Sequence, residues 1–174
     1  MTQERNPALN RISAAWGILG VVAVLLFAVV RLTPIALQAV VAGMTLLQWA
    51  LFVATVGFMA WSEGYVGFQQ HFSPRVAARA LYLCQNEMPI STRLLAPFFC
   101  CGFFNATRRV RFAVWTGTCG IIVLVLAVHQ LSQPWRGILD AGVVVGLSWG
   151  LISLIFNVFR AFTSEHFDHS PEMP

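Results

Sequence analysis

The residues best suited to chemistry follow the second of four long apolar stretches. Glu63 and Tyr65 come directly after that stretch, and Arg75 and Arg79 lie further along. A carboxylate and guanidinium groups together suit an enzyme that acts on a lipid or phosphate group. We expect Glu63 to pair with Arg75 or Arg79 and to fold this segment over the helix end. The plainer interpretation is that Gly64 marks a tight helix end and that the arginines bind anionic lipid headgroups.

A second set of polar side chains lies along the predicted second helix. At 100° per residue these side chains fall within an arc of roughly 120°. Interhelical hydrogen bonding is the favoured interpretation, and a path or pocket for a small solute is the alternative. The four residues are Gln38, Thr45, Gln48 and Thr55.

Metal, cofactor and nucleotide motifs are weak throughout the sequence. His166 and His169 have a spacing that could place two imidazoles on one helical turn, but no further ligand cluster accompanies them. No P-loop or dinucleotide fingerprint is found, and no two cysteines have the CxxC spacing. We therefore expect no metal and no cofactor, and we do not expect nucleic-acid binding.

Composition places these residues in a membrane protein. Of 174 residues, 57% are hydrophobic and only 10% are charged, against about 25% charged residues in soluble domains. We predict one all-α integral membrane domain over residues 1–174. A crossing needs about 20 apolar residues, and in lipid it must be helical to pair its backbone groups. The predicted transmembrane helices cover residues 13–32, 35–61, 111–131 and 136–160.

The connections between the predicted helices differ in length. Thr33-Pro34 reads as a tight link, because proline suits the first position of a helix. The long connection at 62–110 contains an amphipathic pattern after Ser73-Pro74, which predicts a short interfacial helix. The segment 94–105 is too short to cross, and it either dips into the interface or extends the third helix. The tail at 164–174 is expected to be mobile.

The arginines predict the orientation. All eleven basic residues are arginine, and only Arg31 and Arg136 lie on the opposite side of the predicted membrane from the rest. The positive-inside rule therefore places both termini and the long connection in the cytoplasm. Size and composition are typical of a bacterial inner-membrane protein.

The fourth predicted helix carries a stripe of small residues. Gly142, Gly146 and Gly150 recur every four residues, a spacing that lets helix backbones approach closely in lipid. The pattern does not say whether the partner helix is in the same chain. In the same helix, Asp140 follows Arg136 by four residues, and we expect an ion pair at headgroup level.

Three functions remain open. The favoured one is a non-enzymatic helical module in the lipid bilayer that self-associates as a homo-oligomer or is a subunit of a membrane assembly. The alternatives are a small-solute transporter or channel using the polar face, and the lipid or phosphate enzyme described above.

Overall fold

The computed structural model describes residues 7–164, 167 and 169–173, and every regular element in that part of the chain is helical. Four of these helices are long and apolar enough to cross a membrane, with the second built from three consecutive elements. The prediction of an all-helical protein with four such helices is confirmed. In chain order the elements are α1 (Pro7–Val41), α2 (Leu46–Met59), a π-helical segment (Ala60–Phe72), α3 (Ser73–Gln85), α4 (Ile90–Leu94), α5 (Ala96–Cys101), α6 (Arg108–His129) and α7 (Trp135–Thr163).

Helix α1 does not end at the predicted link. It runs through Pro34 to Val41, so the predicted boundary at 32–35 is wrong. Proline removes one backbone donor, which in an α-helix would bond to the Val30 carbonyl, and long apolar helices tolerate such a loss. Next to this position the Thr33 hydroxyl donates to the Val29 carbonyl at 2.7 Å, and the Gln133 amide approaches the Ile35 carbonyl at 3.4 Å.

The chain reverses instead between Val41 and Leu46. Gly43 has a φ of +83°, a left-handed conformation that glycine adopts readily. Thr45 then caps α2 in a capping box, in which its hydroxyl accepts from the Gln48 backbone and the Gln48 side chain accepts from the Thr45 backbone. The second long helix therefore starts at Leu46 and not at residue 35.

That helix also continues past its predicted end at residue 61. Met59, Ala60, Phe72 and Ser73 all have right-handed helical dihedral angles, so α2, the π segment and α3 form one unbroken helix. The helix predicted after Ser73-Pro74 is present as α3, but it is not a separate short helix, because it extends the second long helix. Most of α3 is buried around its whole circumference by α1, α5, α7 and the π segment.

The rest of the long connection folds into two short helices. Helix α5 packs against α1 and α3, with Phe99 and Cys100 fully buried. Gly102 ends α5 with a φ of +93°, and Thr107 is extended before α6 begins. The segment 94–105 therefore neither crosses the bundle nor extends α6.

Helix α7 lies at the centre of the bundle. It packs against α1, α2, the π segment and α3. Gly137 near its start approaches Ala39 near the end of α1, so α1 and α7 are antiparallel. We call the end of the bundle where α1 begins and α7 finishes the termini end, and the opposite end, with residues 42–45 and 130–134, the turn end.

Helix α6 stands apart from this bundle. Only Val110 and Val128 are buried along its 22 residues. Its contact with α7 is slight, and near its start Val110 approaches Gly102 while Trp115 meets the Phe103 ring edge to face. Almost all of the apolar surface of α6 is therefore exposed.

The glycines of α7 lie against the second long helix. A Cβ on Gly142 would lie 2.9 Å from Met59, and one on Gly150 would lie 2.5 Å from the Phe68 ring. One on Gly146 would lie 3.2 Å from the Glu63 Cβ and 3.4 Å from the Met59 carbonyl oxygen. The stripe is therefore covered by a neighbouring helix of the same chain.

Gly146→Leu should separate α7 from the second long helix, because the larger side chain has no space between the two backbones. We expect the free energy of unfolding in detergent to fall by about 1–3 kcal/mol, the usual range for overpacking. Gly57→Leu is the matched control, since a Cβ there meets nothing within 4 Å. Equal losses in the two variants would contradict this packing.

Candidate functional site

Arg79 is the most deeply buried charged residue in the described part of the chain, with 0% of its surface exposed. Its guanidinium donates to four backbone carbonyls. Nε donates to Phe99 at 2.6 Å, Nη1 to Pro171 at 2.9 Å, and Nη2 to Phe104 and Asn105 at 2.8 and 3.0 Å. The guanidinium carbon also lies 4.2 Å from the centroid of the Phe99 ring.

These contacts explain how a charge is tolerated at this position. Among the described residues no carboxylate forms an ion pair with Arg79. A buried charge without hydrogen bonds would be very costly, but carbonyl dipoles and an aromatic face both stabilise a cation. The planar fork of arginine reaches several acceptors at once, which an ammonium on a flexible stem does less well. Arg79 therefore joins α3 to the end of α5 and to the C-terminal tail.

A second arginine fixes the same tail. Arg75 Nε lies 2.7 Å from Glu172 Oε2, and the Thr107 backbone donates to the Glu172 carbonyl at 3.0 Å. Met173 packs against the core. Residues 169–173 of the tail, which we expected to be mobile, are therefore docked on the connection. Residues 165, 166, 168 and 174 lie outside the described part.

The expected pairing of Glu63 with Arg75 or Arg79 is wrong. That expectation assumed a helix end after residue 61, where the chain could fold back. Along one continuous helix, twelve residues at 1.5 Å each separate Glu63 from Arg75 by up to about 18 Å. Glu63 and Tyr65 are exposed on the π segment, while the two arginines hold the tail. The structure does not bring these four residues together.

The polar face predicted on the second helix is also dispersed. Gln38 lies in α1. Thr45 and Gln48 form the capping box at the turn end, and Thr55 faces the Gly142 position of α7. The four side chains line no common path through the bundle.

The other candidate reactive groups are histidines, thiols and one carboxylate. Among the described residues no group of three or more potential metal ligands is found, and His166 lies outside them. Burial raises the pKa of the Cys100 thiol to about 12 and that of the Cys101 thiol to about 11. Both thiols therefore stay protonated near neutral pH and are poor nucleophiles. Arg136 Nε and Asp140 Oδ2 form the expected ion pair at 3.7 Å.

A groove that the sequence did not reveal lies between the π segment and α7. Its volume is about 890 Å³, within the usual range of small-molecule sites. The Trp149 indole nitrogen donates to Gln69 Oε1 at 2.8 Å across it. Its lining residues are Gln69, Gln70, Pro74, Val145, Ser148, Trp149, Ile152, Ser153, Phe156, Asn157, Arg160 and His169.

No family model matches the chain, and neither a curated protein nor a solved structure is significantly similar to it. The described residues form an all-helical protein with four helices that are long and apolar enough to span a membrane. The geometry alone therefore supports the functional proposals below.

Arg79→Lys should destabilise the termini end, because an ammonium cannot reproduce the four hydrogen bonds and the stacking on Phe99. We expect the free energy of unfolding in detergent to fall by about 2–4 kcal/mol, since buried carbonyls lose their donors. Limited proteolysis should then cleave the tail faster. Arg75→Lys is the control, because its partly exposed pair with Glu172 contributes about 1 kcal/mol or less. If both variants unfold at the same temperature, Arg79 does not hold this region together.

Proposed function

We propose that the chain is a multi-pass membrane protein that crosses a bacterial inner membrane four times, with both termini in the cytoplasm. Four long apolar helices support this, as do the many large apolar side chains that the fold leaves exposed, which would aggregate in water. Among the arginines in the described part of the chain, only Arg31 and Arg136 lie toward the turn end. The positive-inside rule then places the turn end outside the cytoplasm.

Within that membrane we propose a non-enzymatic assembly module, in which α6 binds another transmembrane helix. The observation that carries the proposal is the isolation of α6 from the rest of the bundle. An added Cβ at Gly117 or Gly120 meets nothing within 4 Å. At 100° per residue, Ala113, Gly117, Gly120 and Ala127 share an arc of roughly 80°, and small residues on one face let helices pack closely in lipid.

Among the described residues, the side chains considered for the two other functions are not brought together. Gln38 lies on a different helix from Gln48 and Thr55, and Glu63 does not pair with Arg75 or Arg79. The partner of α6 is either a second copy of the chain or a different membrane subunit. Cross-linking distinguishes the two, because the mass of the cross-linked product differs.

The orientation can be tested with a reporter that is active only outside the cytoplasm. We expect activity after Gly43 and after Gln133, both in the turn end, and silence after Glu87 and after Pro174. The Gly43 fusion is the most direct test of the helix bounds. The second span predicted from sequence covers residues 35–61 and would place Gly43 inside the bilayer. Activity after Glu87 would overturn the orientation, and silence after Gly43 would overturn the helix bounds.

The α6 interface can be tested with a photoreactive phenylalanine analogue at Leu124 or at Ile122. Leu124 lies at the centre of the small-residue face and Ile122 lies directly opposite it at nearly the same depth, by helical geometry. Both are exposed apolar residues, so the two variants are matched. We expect a protein adduct in native membranes from Leu124 and only lipid adducts from Ile122. Lipid adducts alone from both positions would remove the case for a helix partner.

A further inference from the structure

The groove between the π segment and α7 has the length of one membrane leaflet. Its lining follows α7 from Val145 to Arg160, which is about 22 Å at 1.5 Å per residue. Half of a bilayer with its headgroup layer is about 20–22 Å thick. Val145 lies toward the middle of the helix and Arg160 toward the termini end, so the groove spans the inner leaflet in the proposed topology.

The chemistry of the groove changes along that length. Val145, Ile152 and Phe156 supply apolar surface along the α7 wall. Arg160 and His169 lie at the termini end, and no carboxylate lines the described part of the groove. An amphipathic ligand with an apolar chain and an anionic headgroup complements this order.

The buried polar groups midway along the groove satisfy one another. The Asn157 amide donates to the Ser153 carbonyl at 2.9 Å and lies 3.4 Å from its hydroxyl. These side chains therefore do not need a polar ligand at that depth, and an acyl chain can pass over them without leaving them unpaired. At the cationic end, Arg160 is exposed and its guanidinium carbon lies 5.9 Å from the Phe156 ring.

The tail completes the cationic end. His169 belongs to the tail that Glu172 fastens to Arg75 and that Pro171 fastens to Arg79. The arginines that the sequence suggested as a site thus act at a distance from the groove, by holding one of its walls in place.

We propose that this groove binds one anionic phospholipid of the inner leaflet, with its headgroup at Arg160 and His169 and an acyl chain along Val145, Ile152 and Phe156. The inference rests on the proposed membrane topology and does not depend on the α6 interface. One arginine at a membrane surface contributes about 1 kcal/mol to binding an anionic lipid, which is about a fivefold change in affinity.

The test uses the full-length protein reconstituted with equal amounts of phosphatidylglycerol and phosphatidylcholine, extracted in mild detergent and measured by native mass spectrometry. We expect one retained phosphatidylglycerol per chain. Arg160→Gln should lower the ratio of lipid-bound to free protein about fivefold. Arg111→Gln is the matched control, because Arg111 is an exposed arginine at the same end but outside the groove, and it should leave the ratio unchanged.

A second variant tests the apolar part of the groove. Ser148→Phe keeps every charge and narrows the groove near its Val145 end, where the acyl chain would lie, so it should abolish lipid retention while the protein still accumulates in the membrane. Equal retention of the two lipids, equal losses for Arg160→Gln and Arg111→Gln, or no lipid on the unaltered protein would each overturn the proposal. A wrong topology would instead appear in the reporter fusions, whatever the lipid result.

Discussion

The buried guanidinium of Arg79 joins three parts of the chain to α3 at one point. Its donors reach the end of α5, the turn after it, and the tail beyond α7. Helix α5 has six residues and the tail has no regular structure, so neither is stable alone. A charge at 0% exposure makes the arrangement strict, because a carbonyl that moved away would weaken the hydrogen bonding of a buried guanidinium. Together with the ion pair between Arg75 and Glu172, these contacts hold the tail that places Met173 in the core and His169 in the groove.

Much of the fold was predictable from sequence. The wrong helix bounds arose because two local turn signals compete in the same part of the chain. The spans at 111–131 and 136–160 differ by only a few residues from α6 and α7, because a polar link bounds them. The Thr33-Pro34 pair is a typical helix start, yet Gly43 and the Thr45-Gln48 capping box form the true turn ten residues later. Both signals are local, and only the packing of the Pro34 region against α7 decides between them. Reading Thr45 and Gln48 as members of a polar helix face concealed their role as a cap.

The sites were less predictable for a geometric reason. The spacing of Gly142, Gly146 and Gly150 predicted close helix packing from the sequence alone. Such a stripe can be recognised without knowing which helix packs against it. The groove depends on how the π segment lies against α7. A π-helix has more residues per turn than an α-helix, so it rotates every later side chain about the axis, and an α-helical projection misplaces Gln69 and Gln70. The absence of a helix end after residue 61 separated Glu63 from the arginines, because they lie along one continuous helix.

The long helices pack by two different rules along their length. Helix α1 has 35 residues and is about 52 Å long, well beyond the thickness of the hydrocarbon core. At the termini end, large side chains such as Leu83 and Phe99 form a core like that of a soluble protein, where water supplies a hydrophobic driving force. Toward the turn end, the α7 glycines bring backbones together, as expected where lipid removes that force. Helix α6 has 22 residues, about the length of one crossing, and its small residues allow close packing against another helix in lipid. The second long helix already covers the α7 glycines. The small-residue face of α6 is open, so it is the face that a partner helix could still bind.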